Sequence, residues 1–331
     1  MSILHKIKKM SFLKKPKYHI AILCVLIIIL MIFVYKPYKE NLSPVVNKKT
    51  IVPKTSSSNN KDSNMIFYGL KNLNNEIIDN GSSLNGYIHN NELNVIVSLQ
   101  HLMNEEREYG LIVLENYKQT EFKIINNEKI DKFLFTMKAN SEKDIKVMVP
   151  ISKDAIDIAF LIIKKPSYEL REKDLTKAGI LEEVLSLRFP LKKDTEKKQI
   201  NNAVPNEVLK TQINESLFLS KKEKVLQFIE ADKEQSNLFL SVGNDQKYPI
   251  QYAIIALNNW EQVPSIDNKE EVFYSSVVPN KRNIYNFKIP KVTKDTNFQF
   301  IAFPYPYQVS SKNYKSQQAI GSFRILILNN D

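Results

Sequence analysis

The sequence predicts an all-β ectodomain of two tandem immunoglobulin-like antiparallel β-sandwiches behind one N-terminal transmembrane helix. Three observations carry that expectation. An uncharged apolar run occupies Ile20–Tyr35, short alternating apolar runs fill the chain from Met65 onward, and the pattern of the first half recurs in the second.

The first run reads IAILCVLIIILMIFVY. As a helix its sixteen residues span roughly 24 Å at about 1.5 Å each, against a hydrocarbon core of about 30 Å. Tyr18 and Tyr35 suit the two interfaces, and the stems of Lys17 and Lys36 can snorkel outward, which closes most of the gap. Ile20 and Leu30, with Tyr18 and Tyr35, mark the expected anchor. Residues 1–19 hold six lysines and no acid, which keeps the N-terminus in the cytoplasm and sends the rest across the membrane. A cleaved signal peptide would end in a small-x-small site, and YKPYKENLSP offers none. The expected location is therefore the cell membrane, single-pass, with the C-terminal domains outside.

Net charge follows the same division. Of the +11 total, residues 1–40 contribute +7 and residues 41–64 contribute +3, leaving +1 for the remainder. The basic character belongs to the anchor and its flanks, so a nucleic-acid partner is not expected. Residues 41–64 are rich in Ser, Asn, Lys and Pro and lack apolar periodicity, the composition of a flexible tether. A 24-residue coil spans roughly 25–30 Å, which keeps the folded part near the membrane. Cys24 is the only cysteine, so the exported part has no disulfide, which suits a bacterial envelope protein.

From Met65 the runs are four to eight residues long. They include Leu93–Leu99, Gly110–Leu114, Phe133–Met137, Ile145–Pro150, Ile156–Ile163 and Val184–Phe189, with polar clusters between them. Ile145, Val147 and Val149 alternate with Lys146 and Met148, the period of a half-buried strand. Glu169–Leu185 is the best helical candidate. Residues 65–191 thus read as β-sandwich domain 1, residues 192–214 as a polar connection, and residues 215–331 as β-sandwich domain 2. Asn94–Gln119 aligns with Asn237–Gln262 at an offset of 143, and Phe133–Pro166 with Phe273–Pro306 at 140. Tyr109/Tyr252, Asn116/Asn259, Gln119/Gln262 and Pro166/Pro306 are identical, and Tyr117 falls on Trp260. The second sandwich reads as an internal duplicate of the first. No Cys…Trp…Cys core accompanies it, so no antibody-type relationship follows.

Chemistry-bearing motifs are sparse. There is no G-x-S-x-G, and seven glycines form no phosphate-binding loop. His89 and His101 are expected as solvated loop residues. Glu105, Glu106 and Glu108 cluster in NEEREYG; with His101 or His89 they form the alternative of a surface hydrolase or metal-dependent enzyme. No catalytic residue and no cofactor is expected. Aromatic residues offer the better candidate. In Phe303-Pro-Tyr-Pro-Tyr307 the prolines cannot donate to a ladder, which would turn the chain out of the sheet and leave Tyr305 and Tyr307 partly exposed. Together with Phe303 and Trp260 they are the candidate binding residues for a protein or glycan. The expected function is a non-catalytic, membrane-anchored interaction or scaffold protein. A carbohydrate-binding sandwich is a further alternative.

Overall fold

The computed structural model describes residues 64–124, 128–172, 174–192, 198–210, 215–221, 232–233, 237–265 and 270–329. The apolar run Ile20–Tyr35, its flanking Tyr18 and residues 41–63 of the expected tether lie outside them. Among the described residues no helix is long and apolar enough to cross a membrane. The described residues fall within one compact unit, Asp62–Asp331.

The architecture is all-β. In the first half, β1 (Met65–Lys71), β2 (Ile77–Ile78), β3 (Ile88–His89) and β4 (Glu92–Leu102) lead into β5 (Arg107–Glu115) and β6 (Lys118–Gln119). Then come β7 (Phe122–Ile124), β8 (Lys129–Ile130), β9 (Lys132–Met137), β10 (Ser141–Pro150), β11 (Asp157–Lys164), helix α1 (Leu175–Glu182) and β12 (Val184–Pro190). They form two antiparallel sheets. One runs β2-β1-β4-β10-β7-β8 with β3 on β4; the other runs β12-β11-β5-β6 with β9 on β5. Leu93, Val95, Val97 and Leu99 of β4 meet Leu111, Val113, Phe160 and Ile162 in the core between them.

The second half repeats this plan. Its strands are β13 (Glu207–Lys210), β14 (Leu217–Ser220), β15 (Asp232–Lys233), β16 (Asn237–Asn244), β17 (Ile250–Asn258) and β18 (Glu261–Val263). They continue with β19 (Val272–Val277), β20 (Lys281–Lys288), β21 (Thr296–Pro304), β22 (Ile320–Gly321) and β23 (Ile325–Leu328). One sheet runs β13-β20-β16-β14 and the other β15-β23-β21-β17-β18, with β19 on β17 and β22 on β21. All pairs in both sheets are antiparallel except β15 with β23. The core packs Leu238, Leu240 and Val242 against Ile254, Phe298 and Phe300.

Pairing registers coincide between the halves. Tyr109 faces Lys164 as Tyr252 faces Pro304, and Tyr109 faces Phe135 as Tyr252 faces Ser275. Ser98 faces Asp144 as Ser241 faces Ile284. These partners sit at the offsets of 143 and 140 found in the sequence, so strand phase and pairing agree. A one-residue slip would have turned every core side chain outward.

Two expectations need correction. The helix is confined to Leu175–Glu182, started by Asp174, whose side chain accepts from the Lys177 amide at 3.0 Å. The stretch 192–214 is more than a connection, because β13 pairs with Lys281–Ile284 of β20. Its counterpart edge in the first half, Ser141–Lys146 of β10, has no second neighbour among the described residues, since β7 pairs only at Val147 and Met148. Lys143 on that edge sets its ammonium 5.8 Å from the Phe135 ring centre. A charge turned inward at an edge discourages edge-to-edge pairing.

Candidate functional site

The sheets built on β5/β11 and β17/β21 are buried on both faces. Leu111, Val113, Phe160 and Ile162 point into their own sandwich, while Ile112, Leu114, Leu161 and Ile163 point the other way. There they meet Ile255, Leu257, Ile301 and Phe303 of the second sandwich. This seam is a third apolar core, and it is where the aromatic candidates reside.

Two matching hairpin turns frame the seam. Two-residue turns Asn116-Tyr117 and Asn259-Trp260 join β5 to β6 and β17 to β18. All four residues have positive φ: 49° and 68°, then 47° and 68°. That is type I′ geometry, in which the second residue is ordinarily Gly. Placing Tyr or Trp there costs of order 1–3 kcal/mol of backbone strain. Both rings are buried in the seam, which offsets it. Just beyond the turns, the Gln119 amide donates to Gln262 Oε1 at 2.5 Å and the Gln262 amide to Gln119 Oε1 at 2.6 Å. Counterpart residues thus bond reciprocally, the signature of a pseudo-two-fold contact.

At one end of the seam Tyr117 donates to Asp157 Oδ2 at 2.6 Å and accepts from Arg188 at 2.9 Å. Arg188 also donates to the carbonyls of Pro304 at 2.9 Å and Gln318 at 3.0 Å. At the other end Trp260 donates to the Pro166 carbonyl at 2.9 Å, and Arg324 lies 4.5 Å from the Trp260 ring centre. Arg324 donates to the carbonyls of Lys164 and Lys165 at 2.9 and 2.8 Å. Lys164 and Pro304 are counterparts, so each buried arginine reaches the same backbone position of the opposite sandwich. Asn297 stands where Asp157 would be and donates to the Pro166 carbonyl at 3.0 Å. Burial, the dominant effect, raises the Asp157 carboxyl above its ordinary range, with Arg188 opposing.

The candidate binding residues are accordingly placed inside. Phe303, Trp260 and Tyr307 are 0, 3 and 5 % exposed, and Tyr305 is half-buried. The expected exposure of Tyr307 is overturned by a backbone contact: its amide donates to Asp157 Oδ2 at 2.9 Å and to the Tyr117 hydroxyl at 3.1 Å. Proline does turn the chain out of β21, but it turns it into the neighbouring sandwich. Beside this end lies a cleft of about 800 Å³, lined by Asn116, Lys118, Asp154, Glu271, Tyr274 and Tyr307 among others.

The loop alternative does not assemble. His101 is fully buried within β4, contrary to the expected solvated loop; His89 is exposed. The His101 Nε2 faces the Glu105 carbonyl at 2.7 Å and its Nδ1 the Tyr109 hydroxyl at 2.8 Å. A ring nitrogen facing a carbonyl must carry the proton, so His101 closes the hairpin as a donor. Asn244, its counterpart, donates to the Tyr248 carbonyl at 2.8 Å, the same bond at the same spacing. The Glu105 carboxylate is held by Arg107 at 2.5 Å, which keeps it below its ordinary range. Glu108 accepts from Ser167, and Glu106 is exposed. Among the described residues no group of three His, Cys, Asp or Glu is placed to hold a metal ion.

One acid stands apart. Glu182, at the end of α1, is pushed up to about 7, by burial first and by Glu215 second. A folded-state value above the ordinary 4.5 means that the native state holds the proton more tightly. Stability is then fully present below about pH 4.5 and declines as pH rises through about 7. Glu182→Gln is expected to be neutral at pH 4 and stabilising at pH 8. The gain is on the order of 1 kcal/mol once solvent screening of a half-buried carboxyl is discounted. Urea unfolding at both pH values checks this; an equal gain at both would contradict it.

No protein-family model matches the chain, and no curated protein matches it. Among solved structures it is similar to the YadV chaperone, at 12 % identity over 77 % of this chain and 96 % of that one, TM-score 0.23. It is also similar to a structure of the Salmonella enterica SafA pilin in complex with the SafB chaperone, at 10 % identity over 81 % and 98 %, TM-score 0.23. The E. coli chaperone DraB gives 9 % over 80 % and 97 %, TM-score 0.24.

Proposed function

We propose that this chain is a membrane-anchored, extracytoplasmic binding module. Ile20–Tyr35 holds it to the bilayer, and two immunoglobulin-like sandwiches act as one rigid body that keeps a protein or glycan partner near the outer surface. The observation that carries this reading is the seam. A continuous apolar core, two buried arginines and a reciprocal glutamine pair join the sandwiches, whereas independent modules would meet through a small polar contact. Rigid coupling suits positioning a partner, since it removes the ordering cost that a hinge would add on binding. The acid-free, lysine-rich N-terminal flank supports the orientation.

Protease treatment of intact cells carrying tags at both ends tests the topology. The C-terminal tag is expected to be digested and the N-terminal tag protected; the reverse, or protection of both, would contradict it. Cross-linking in the same cells is expected to recover one specific partner, and recovery of none would sink the binding role.

A further inference from the structure

We propose that the recess between the end of α1 and the Tyr314 turn binds an organic ammonium group, such as a lysine side chain or the end of a polyamine. This goes beyond the scaffold role and does not rest on it. The recess has a volume of about 340 Å³, and its lining includes Tyr68, Glu182, Glu183, Tyr314 and Gly321. It is built from both sandwiches, so the seam fixes its shape.

Four features favour a cation there. The Glu182 carboxylate has no hydrogen-bond or ion-pair partner among the described residues, while its neighbour Glu183 is satisfied by Lys164. Glu182 ends α1, and the carbonyl end of a helix carries partial negative charge. Tyr68 and Tyr314 supply two rings, Tyr314 being 73 % exposed, and ring faces attract alkylammonium ions. The floor is held firmly. Gln299 Nε2 donates to the carbonyls of Glu182 at 3.1 Å and Ser322 at 2.8 Å. A Cβ on Gly321 would lie 2.1 Å from the Glu182 carbonyl oxygen, so only glycine fits. Among the described residues the groups that act on Glu182 and its surroundings are Glu215, Glu183 with Lys164, Tyr68 and Tyr314, and no cation of theirs contributes to its raised titration. Among the described residues nothing supplies a counter-charge to this acid, and an ammonium ligand would supply it.

The test is calorimetric titration of the purified full chain with n-butylammonium, Nα-acetyl-lysine amide and spermidine at constant ionic strength, with 1-pentanol as the neutral control. Saturable binding of an amine at pH 8 is expected, weaker by about tenfold at pH 5.5, where Glu182 is protonated. Glu182→Gln should weaken binding by about tenfold and Tyr314→Ala by about threefold. Unfolding midpoints at pH 4 equal to wild type show that the variants fold. Binding of the lysine amide alone assigns the ammonium to a protein side chain, and of spermidine alone to a polyamine; either supports the site. Absence of saturation up to about 50 mM, undiminished binding by Glu182→Gln, or equal binding of 1-pentanol would overturn it.

Discussion

Replacing Arg188 with alanine is expected to lower the stability of the Asp62–Asp331 unit by about 3–5 kcal/mol. Arg188 is 1 % exposed and its guanidinium spans the seam, donating to two carbonyls and the Tyr117 hydroxyl. Truncation strands those acceptors, leaves Asp157 buried without its cation, and opens a cavity beside Phe303. Arg188→Lys should recover little, because one ammonium cannot reproduce a planar fork that serves three acceptors. Urea unfolding midpoints read the effect; a loss below about 1 kcal/mol would show that the buried arginine does not hold the seam.

Trp260→Ala is expected to cost about 3–5 kcal/mol, the range for emptying a large aromatic site. The ring is nearly inaccessible, its indole N–H satisfies the Pro166 carbonyl, and it carries the Arg324 guanidinium on its face. Trp260→Tyr should cost far less, since Tyr117 occupies the equivalent turn in the first sandwich with nearly the same φ. Equal losses for Ala and Tyr would mean that the indole hydrogen bond, rather than ring packing, dominates.

The fold was largely legible from the chain. Period-two alternation in β10 and the paired offsets of 143 and 140 predicted strand phase, and the pairing registers agree with both. The seam leaves a signal in the sequence that strand alternation alone does not resolve. Gly110–Leu114, Ala253–Leu257 and Asp157–Lys164 are apolar with little alternation, the mark of strands covered on both faces. Single-strand patterning says that a second face is buried without saying against what. The aromatic candidates do gather in one region, but of the two tyrosines expected to be partly exposed only Tyr305 is, and Tyr307 is buried. Proline predicts departure from a sheet, whereas the direction of departure depends on the neighbouring sandwich. The asparagine counterpart of His101 masks a role the two share, that of donating to a hairpin carbonyl. The Glu182 recess had no local signature, since Tyr68, Glu182 and Tyr314 come from distant parts of the sequence.

The most direct measurement of the central claim, that two sandwiches form one body, uses the single tryptophan in the chain. Trp260 lies in the seam, so its fluorescence reports separation of the sandwiches while far-ultraviolet circular dichroism reports loss of strands. In urea the two signals are expected to fall in a single coincident transition. A fluorescence transition that precedes the loss of strands, with the sandwiches unfolding separately afterwards, would contradict it.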